Sequence, residues 1–140
     1  MANPNVLVPV DGSEASLRAL EYACRKYGKT RGVSLIVLNV QPPMPSSRYV
    51  SREAIADHHK RMSDAALKPA RALIRKLGLN ARFHYEVGDP AEVITRFAKR
   101  TRCGEIVMGT RGLGRISGLV LGSVAMKVVY LATIPVTLVK

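Results

Sequence analysis

Residues 33–40 read VSLIVLNV, a run of β-branched and other apolar side chains that is apolar on both of its faces. A strand of this kind must be covered above and below, which is the situation of an interior strand in a parallel sheet. Parallel neighbours need long crossovers, so the flanking sequence should supply helices. Upstream, Asn5–Val10 (NVLVPV) is a second short apolar run. The turn DGSE follows, and Ser13 is placed to cap a helix reaching about Tyr27, with Leu17, Leu20, Cys24 and Tyr27 along one face.

Downstream, QPPMPSS breaks regular structure with Pro42, Pro43 and Pro45. The spacing then predicts a long helix from about Ser51 to Leu77, with Ile55, Met62, Ala66, Leu73 and Leu77 on its apolar side. Pro69 should kink or divide that helix. Ala81–Val87 (ARFHYEV) alternates as a strand with a more exposed face. Gly88-Asp89-Pro90 opens a third helix carrying Val93, Ile94 and Phe97, with Pro90 suited to its first position. Glu105–Met108 is a short strand, a glycine-rich loop follows, and a helix from about Ser123 to Ala132 presents Val124, Val128 and Leu131. Pro135–Val139 (PVTLV) closes the series. Strands and helices alternate throughout. The expected fold is a single α/β domain over residues 1–140, a doubly wound, Rossmann-like, five-stranded parallel sheet with helices on both faces.

Ligands of such sheets bind beyond the carboxyl ends of the strands, where the strand order reverses. The first and fourth strands are the expected neighbours there. Their ends carry Asp11-Gly12-Ser13 and the loop GTRGLGRISGLVLGS, Gly109–Ser123. A glycine loop between strand and helix lets backbone N–H groups approach phosphate oxygens, and the next helix adds its own unpaired donors. Two phosphate motifs fail. A Walker A loop needs Lys-[ST] where Arg115-Ile116 stands, and in G-x-G-x-x-G the third glycine, Gly118, falls one place late.

The pattern G-x2-G-x9-G-[ST] does fit, at Gly109, Gly112, Gly122 and Ser123. With VLVPVDGSEAS, VGDPAEVI, IVMGTRG and IPVTLVK in order along the chain, the sequence resembles the universal stress protein family, specifically its ATP-binding branch. The resemblance implies a nucleotide pocket. Asp11 would lie near the ribose and phosphates, facing them through a divalent cation, Mg²⁺ or Mn²⁺. Pro9 would line the pocket, Val40 would meet the adenine through backbone groups, and Met108 and Gly109 would flank the nucleoside. Gly112, Gly122, Ser123 and Val124 would wrap the phosphates. Arg111 and Arg115 stand at positions that vary in the family. The resemblance also implies a homodimer paired through the last strand.

Other signals are weaker. The formal charge of +12 favours polyanionic partners without choosing among them. Arg61, Lys68, Arg71, Arg75 and Lys76 lack interleaved aromatics and are read as a solvated helix face, so nucleic acid is not the expected partner. His58-His59 is likewise read as solvated, and His84 as a strand-surface residue. Cys24 and Cys103 form no metal or CxxC pattern, and Cys24 is expected as a buried thiol. No apolar run approaches a membrane span and no signal segment is visible, so a cytoplasmic protein is expected. No paired carboxylates or Ser/His/Asp set appear, and catalytic residues are not assigned. The reading is an ATP-binding switch or binding module in stress response. A slow ATPase or nucleotide-dependent enzyme on the same pocket is the alternative, and a polyanion binder comes third.

Overall fold

The computed structural model describes residues 5–45, 47–111 and 121–140. Its elements are β1 (Asn5–Pro9), α1 (Glu14–Tyr27), β2 (Ser34–Gln41), α2 (Arg52–Lys76), β3 (Arg82–Val87), α3 (Pro90–Arg100), β4 (Cys103–Gly109), α4 (Ser123–Leu131) and β5 (Val136–Val139). The five strands form one sheet in the order β3-β2-β1-β4-β5, and every pairing is parallel. The α/β architecture expected from the alternation is therefore present. β1 lies between β2 and β4, so the strand order reverses there.

The two-faced apolar character of residues 33–40 has a direct structural cause. Leu35 and Val37 point into the layer under α1 and α2, with Val6, Val8, Leu20 and Leu67. Ile36 and Leu38 point into the opposite layer under α3 and α4, with Leu7, Ile94, Ile106 and Val128. All four β2 side chains are 3% exposed or less. Burying each stabilises the fold by roughly 1.5–3 kcal/mol relative to leaving it in water.

Three helices begin on side-chain caps. Ser13 Oγ accepts from the Ser16 N–H at 3.2 Å, Ser51 Oγ from Ala54 at 3.0 Å, and Asp89 Oδ2 from Glu92 at 3.2 Å. Pro90 occupies the first turn of α3, as its fixed φ favours. β4 starts two residues earlier than the sequence suggested, at Cys103, because Cys103 pairs with Asn5 across a register shift.

Of the two outcomes expected of Pro69, division does not occur: one helix runs from Arg52 to Lys76. The expected apolar face of α2 is corrected. Its buried residues are His59, Ser63, Leu67, Ala70 and Ile74, while Met62 and Leu77 are exposed. The face is chosen by how closely the helix can lie on the sheet, and small Ser63 and Ala70 permit that approach better than Met62 does. His59 consequently does not lie on a solvated face; it is 7% exposed, beside Ser63 at 0%. Neither His59 Nδ1 nor Ser63 Oγ has a hydrogen-bond partner among the described residues. His84 is exposed, its ring against Phe97 at 5.5 Å. Both cysteines are free and buried, and burial pushes the Cys24 thiol up to about 11.

Candidate functional site

β1 and β4 are adjacent, and their onward connections leave toward opposite faces of the sheet. The divergence opens a crevice at the carboxyl ends of the strands. A cavity of about 280 Å³ occupies it. Pro9 from β1 with Val10 just after it, Leu38 and Val40 from β2, and Met108 and Gly109 from β4 supply its sheet side. Asp11, Thr110 and Arg111 come from the segments that leave the strands. Gly122, Ser123, Val124 and Ala125 come from the start of α4, and Pro90 and Ile94 from α3.

The strand end before Asp11 is held firmly. Val10 N–H donates to the Leu38 carbonyl at 2.8 Å, and the Val10 carbonyl accepts from Asn39 Nδ2 at 2.8 Å. Gln41 Nε2 in turn donates to Asn39 Oδ1 at 2.7 Å. Asp11 Oδ1 accepts from the Ser13 N–H at 2.9 Å, and the Asp11 N–H donates to Ser16 Oγ at 3.3 Å. These bonds close a tight turn at Gly12, whose φ of +87° suits glycine. Asp11 is thus fixed in the lining, and among the described residues it is the one carboxylate there.

On the opposite wall α4 begins differently from the other helices. Its N-cap is Gly122, with no side-chain cap hydrogen bond and no acidic residue in the first turn. The Gly122 N–H donates to the Thr110 carbonyl at 2.7 Å, which fixes the base of the loop. The first-turn N–H groups and the positive end of the helix dipole therefore meet the cavity wall with no side-chain cap among the described residues. The lining combines apolar side chains, among them Leu38, Val40, Ile94 and Met108, with the start of α4, the Ser123 hydroxyl and Arg111. Such a lining suits a molecule with a flat apolar part and an anionic part.

Nine of the ten residues singled out from the sequence line this one cavity: Pro9, Asp11, Val40, Met108, Gly109, Arg111, Gly122, Ser123 and Val124. The tenth, Gly112, lies outside the described residues, as do Gly114, Arg115 and Gly118. Gly109 has a second reason to be glycine. A Cβ there would stand 2.9 Å from the Ala15 carbonyl oxygen, so α1 crosses β4 too closely for any side chain. Ser13 caps α1 and does not line the cavity. Sequence reasoning missed Val10, Ser16, Leu38, Pro90, Ile94, Thr110 and Ala125. Pro90 and Ile94 carried a usable signal, since the first turn of any crossover helix lies at the strands' carboxyl ends.

Comparisons with known proteins bear on this geometry. The family model described as the universal stress protein family matches residues 3–140. A universal stress protein of Thermus aquaticus is 33% identical over 136 residues, covering 96% of this chain and 97% of that protein. A universal stress protein from Archaeoglobus fulgidus solved in complex with dAMP superposes with a TM-score of 0.68 at 27% identity, covering 100% of both chains. Another, solved in complex with cAMP, gives a TM-score of 0.73 at 26% identity, covering 100% of this chain and 99% of that one.

Proposed function

The chain belongs to the universal stress protein family, and from that premise we propose that it binds ATP in the cavity between β1 and β4. In this reading it is a cytoplasmic, nucleotide-responsive switch or binding module in stress response. The observation that carries it is one cavity lined both by apolar side chains and by the start of α4, whose N-cap Gly122 has no side-chain cap hydrogen bond. Relatives solved with dAMP and with cAMP are adenine-nucleotide complexes, which supports the ligand class.

Adenine would take the slot beside Val40, with Pro9 on the sheet side and Met108 and Gly109 against the nucleoside. Gly112, Gly122, Ser123 and Val124 would serve the phosphates, helped by the charge of Arg111. A divalent cation, Mg²⁺ or Mn²⁺, fits the donor chemistry of Asp11 together with phosphate oxygens. When bound, it would neutralise phosphate charge beside that carboxylate. With Asp11 the one carboxylate of the described lining, we read the site as one that holds a nucleotide. The same reading includes a homodimer through the outer edge of β5, which among the described residues pairs only with β4, on its inner side.

Isothermal titration with ATP and Mg²⁺ tests the proposal. Saturable binding by the native chain, lost in Gly122→Val with unchanged circular dichroism, is the expected result. Equal affinity in native protein and variant would remove the α4 terminus from the site, and an absence of binding by the native chain would overturn the function.

A further inference from the structure

In a parallel sheet each crossover helix ends, and each following turn lies, at the amino ends of the strands, opposite the cavity. Here three of those turns are fastened to one another. A Cβ on Gly28 would stand 2.5 Å from Leu79 Cδ1, so the turns after α1 and α2 are in contact. Asn5 joins the rest: its Nδ2 donates to the Thr101 carbonyl at 2.7 Å, and its Oδ1 accepts from Arg82 at 3.2 Å. The turns after α1, α2 and α3 therefore make one surface.

That surface carries Lys29, Arg31, Arg75, Lys76, Lys99 and Arg102, all exposed. Among the described residues none of the six has a carboxylate partner, whereas Lys60, Arg61 and Lys127 elsewhere pair with Asp64, Asp57 and Asp89. Helix dipoles explain part of this, because cations suit the last turns that hold Arg75, Lys76 and Lys99. They do not explain Lys29, Arg31 and Arg102, which stand beyond the helices. Arg102 has φ 54°, in the left-handed region where glycine is at ease, yet the position holds a guanidinium.

We propose that this amino-end surface binds the phosphodiester backbone of duplex nucleic acid, without reading its sequence. Guanidinium groups match phosphate oxygens with paired donors. No exposed aromatic residue stands in these turns, so stacking on unpaired bases is not offered. Leu77 is their one exposed large apolar residue among those described, which leaves little to anchor in a bilayer. Helix C-termini face this end, so no helix N-terminus is available to enter a groove. The inference is independent of what the opposite cavity holds.

Fluorescence anisotropy with a labelled mixed-sequence DNA duplex, titrated between about 50 and 200 mM salt, is the test. The expected plot of log affinity against log salt has a slope near −5, at about 0.9 per phosphate for contacts by the six cations. Combining Lys29→Gln, Arg31→Gln and Lys76→Gln should reduce that slope by about 2.7 and weaken binding at least tenfold at fixed salt. Combining Arg52→Gln, Lys60→Gln and Arg61→Gln removes the same charge from the other end of α2 and should leave affinity within about twofold. Equal losses in both variants, or no binding at the low-salt end, would overturn the proposal. So would tighter binding to phosphatidylserine vesicles than to the duplex, abolished by the first variant, which would assign the surface to membranes.

Discussion

At the scale of single residues, Gly109 shows how one atom can answer to two neighbours. The sequence singled it out for close approach of a ligand, and the structure adds the close approach of a helix. Because a Cβ would meet the Ala15 backbone at 2.9–3.0 Å, and backbone yields less readily than a side chain, Gly109→Ala should destabilise the fold by about 1–3 kcal/mol. Urea midpoints would register this in ligand-free protein; an unchanged midpoint would mean that α1 shifts at little cost. The thiol of Cys24 gives a second prediction at this scale. Burial raises it from its ordinary value of 9.0 to about 11, with Glu21 adding to the effect. The folded chain thus keeps a proton that the unfolded chain releases first. This contribution to stability is complete below about pH 9 and lost as pH rises toward 11. Cys24→Ser, whose hydroxyl does not titrate in that window, should show a shallower loss of stability between those values. A parallel decline in native and variant protein would assign the loss to other groups.

At the scale of elements, Pro69 is the anomaly. It has no N–H to give to the helix ladder, yet α2 continues through it, and its ring helps line a groove with Leu17 and Leu73 between α1 and α2. Restoring the missing donor with Pro69→Ala should stabilise the chain by about 1–3 kcal/mol, seen as a raised urea midpoint. A lowered midpoint would show that the ring's packing against α1 outweighs the lost hydrogen bond. The same helix marks the limit of what periodicity reveals. The order of strands and helices was readable because the strands are short, apolar except for the alternating β3, and separated by Gly, Pro or capping residues. So was the meeting of β1 and β4, since a reversal in strand order requires it. Of the cavity lining, Gly109, Gly122 and Ser123 followed from the motif placed at that reversal, and Pro9, Asp11, Val40, Met108 and Val124 from the family resemblance around it. The buried stripe of α2 was not readable, because His59, Ser63, Leu67, Ala70 and Ile74 are selected by contact with β2 and α1, not by their own hydrophobicity. Ser16 and Thr110 escaped for a related reason, as hydroxyls beside a turn carry no periodic signal.

At the scale of the whole molecule, the two ends of the sheet differ in chemistry and its two edges differ in composition. The β3 edge carries Arg82 and Glu86 along its strand, charges that discourage pairing with another chain. The β5 edge reads Val136, Thr137, Leu138 and Val139, with no charge to protect it. The carbonyls of Pro135 and Val139 accept from Ile106 and Thr110, so the alternate residues Val136 and Leu138 direct their backbone groups to the outer edge. Beside that edge α4 exposes Met126 at 55%, Val129 at 48% and Tyr130 at 86%, an apolar stripe at spacings of three and four. A second copy pairing along β5 would cover strand and stripe together, and their combined burial distinguishes a stable dimer from a chance edge contact. Met126→Glu combined with Tyr130→Glu should therefore shift the sedimentation velocity of the protein from dimer to monomer. Both side chains already face solvent within one copy, so the melting temperature of the dilute chain should change little. A native chain that sediments as a monomer at high concentration, or a dimer indifferent to the double variant, would place the interface elsewhere or remove it.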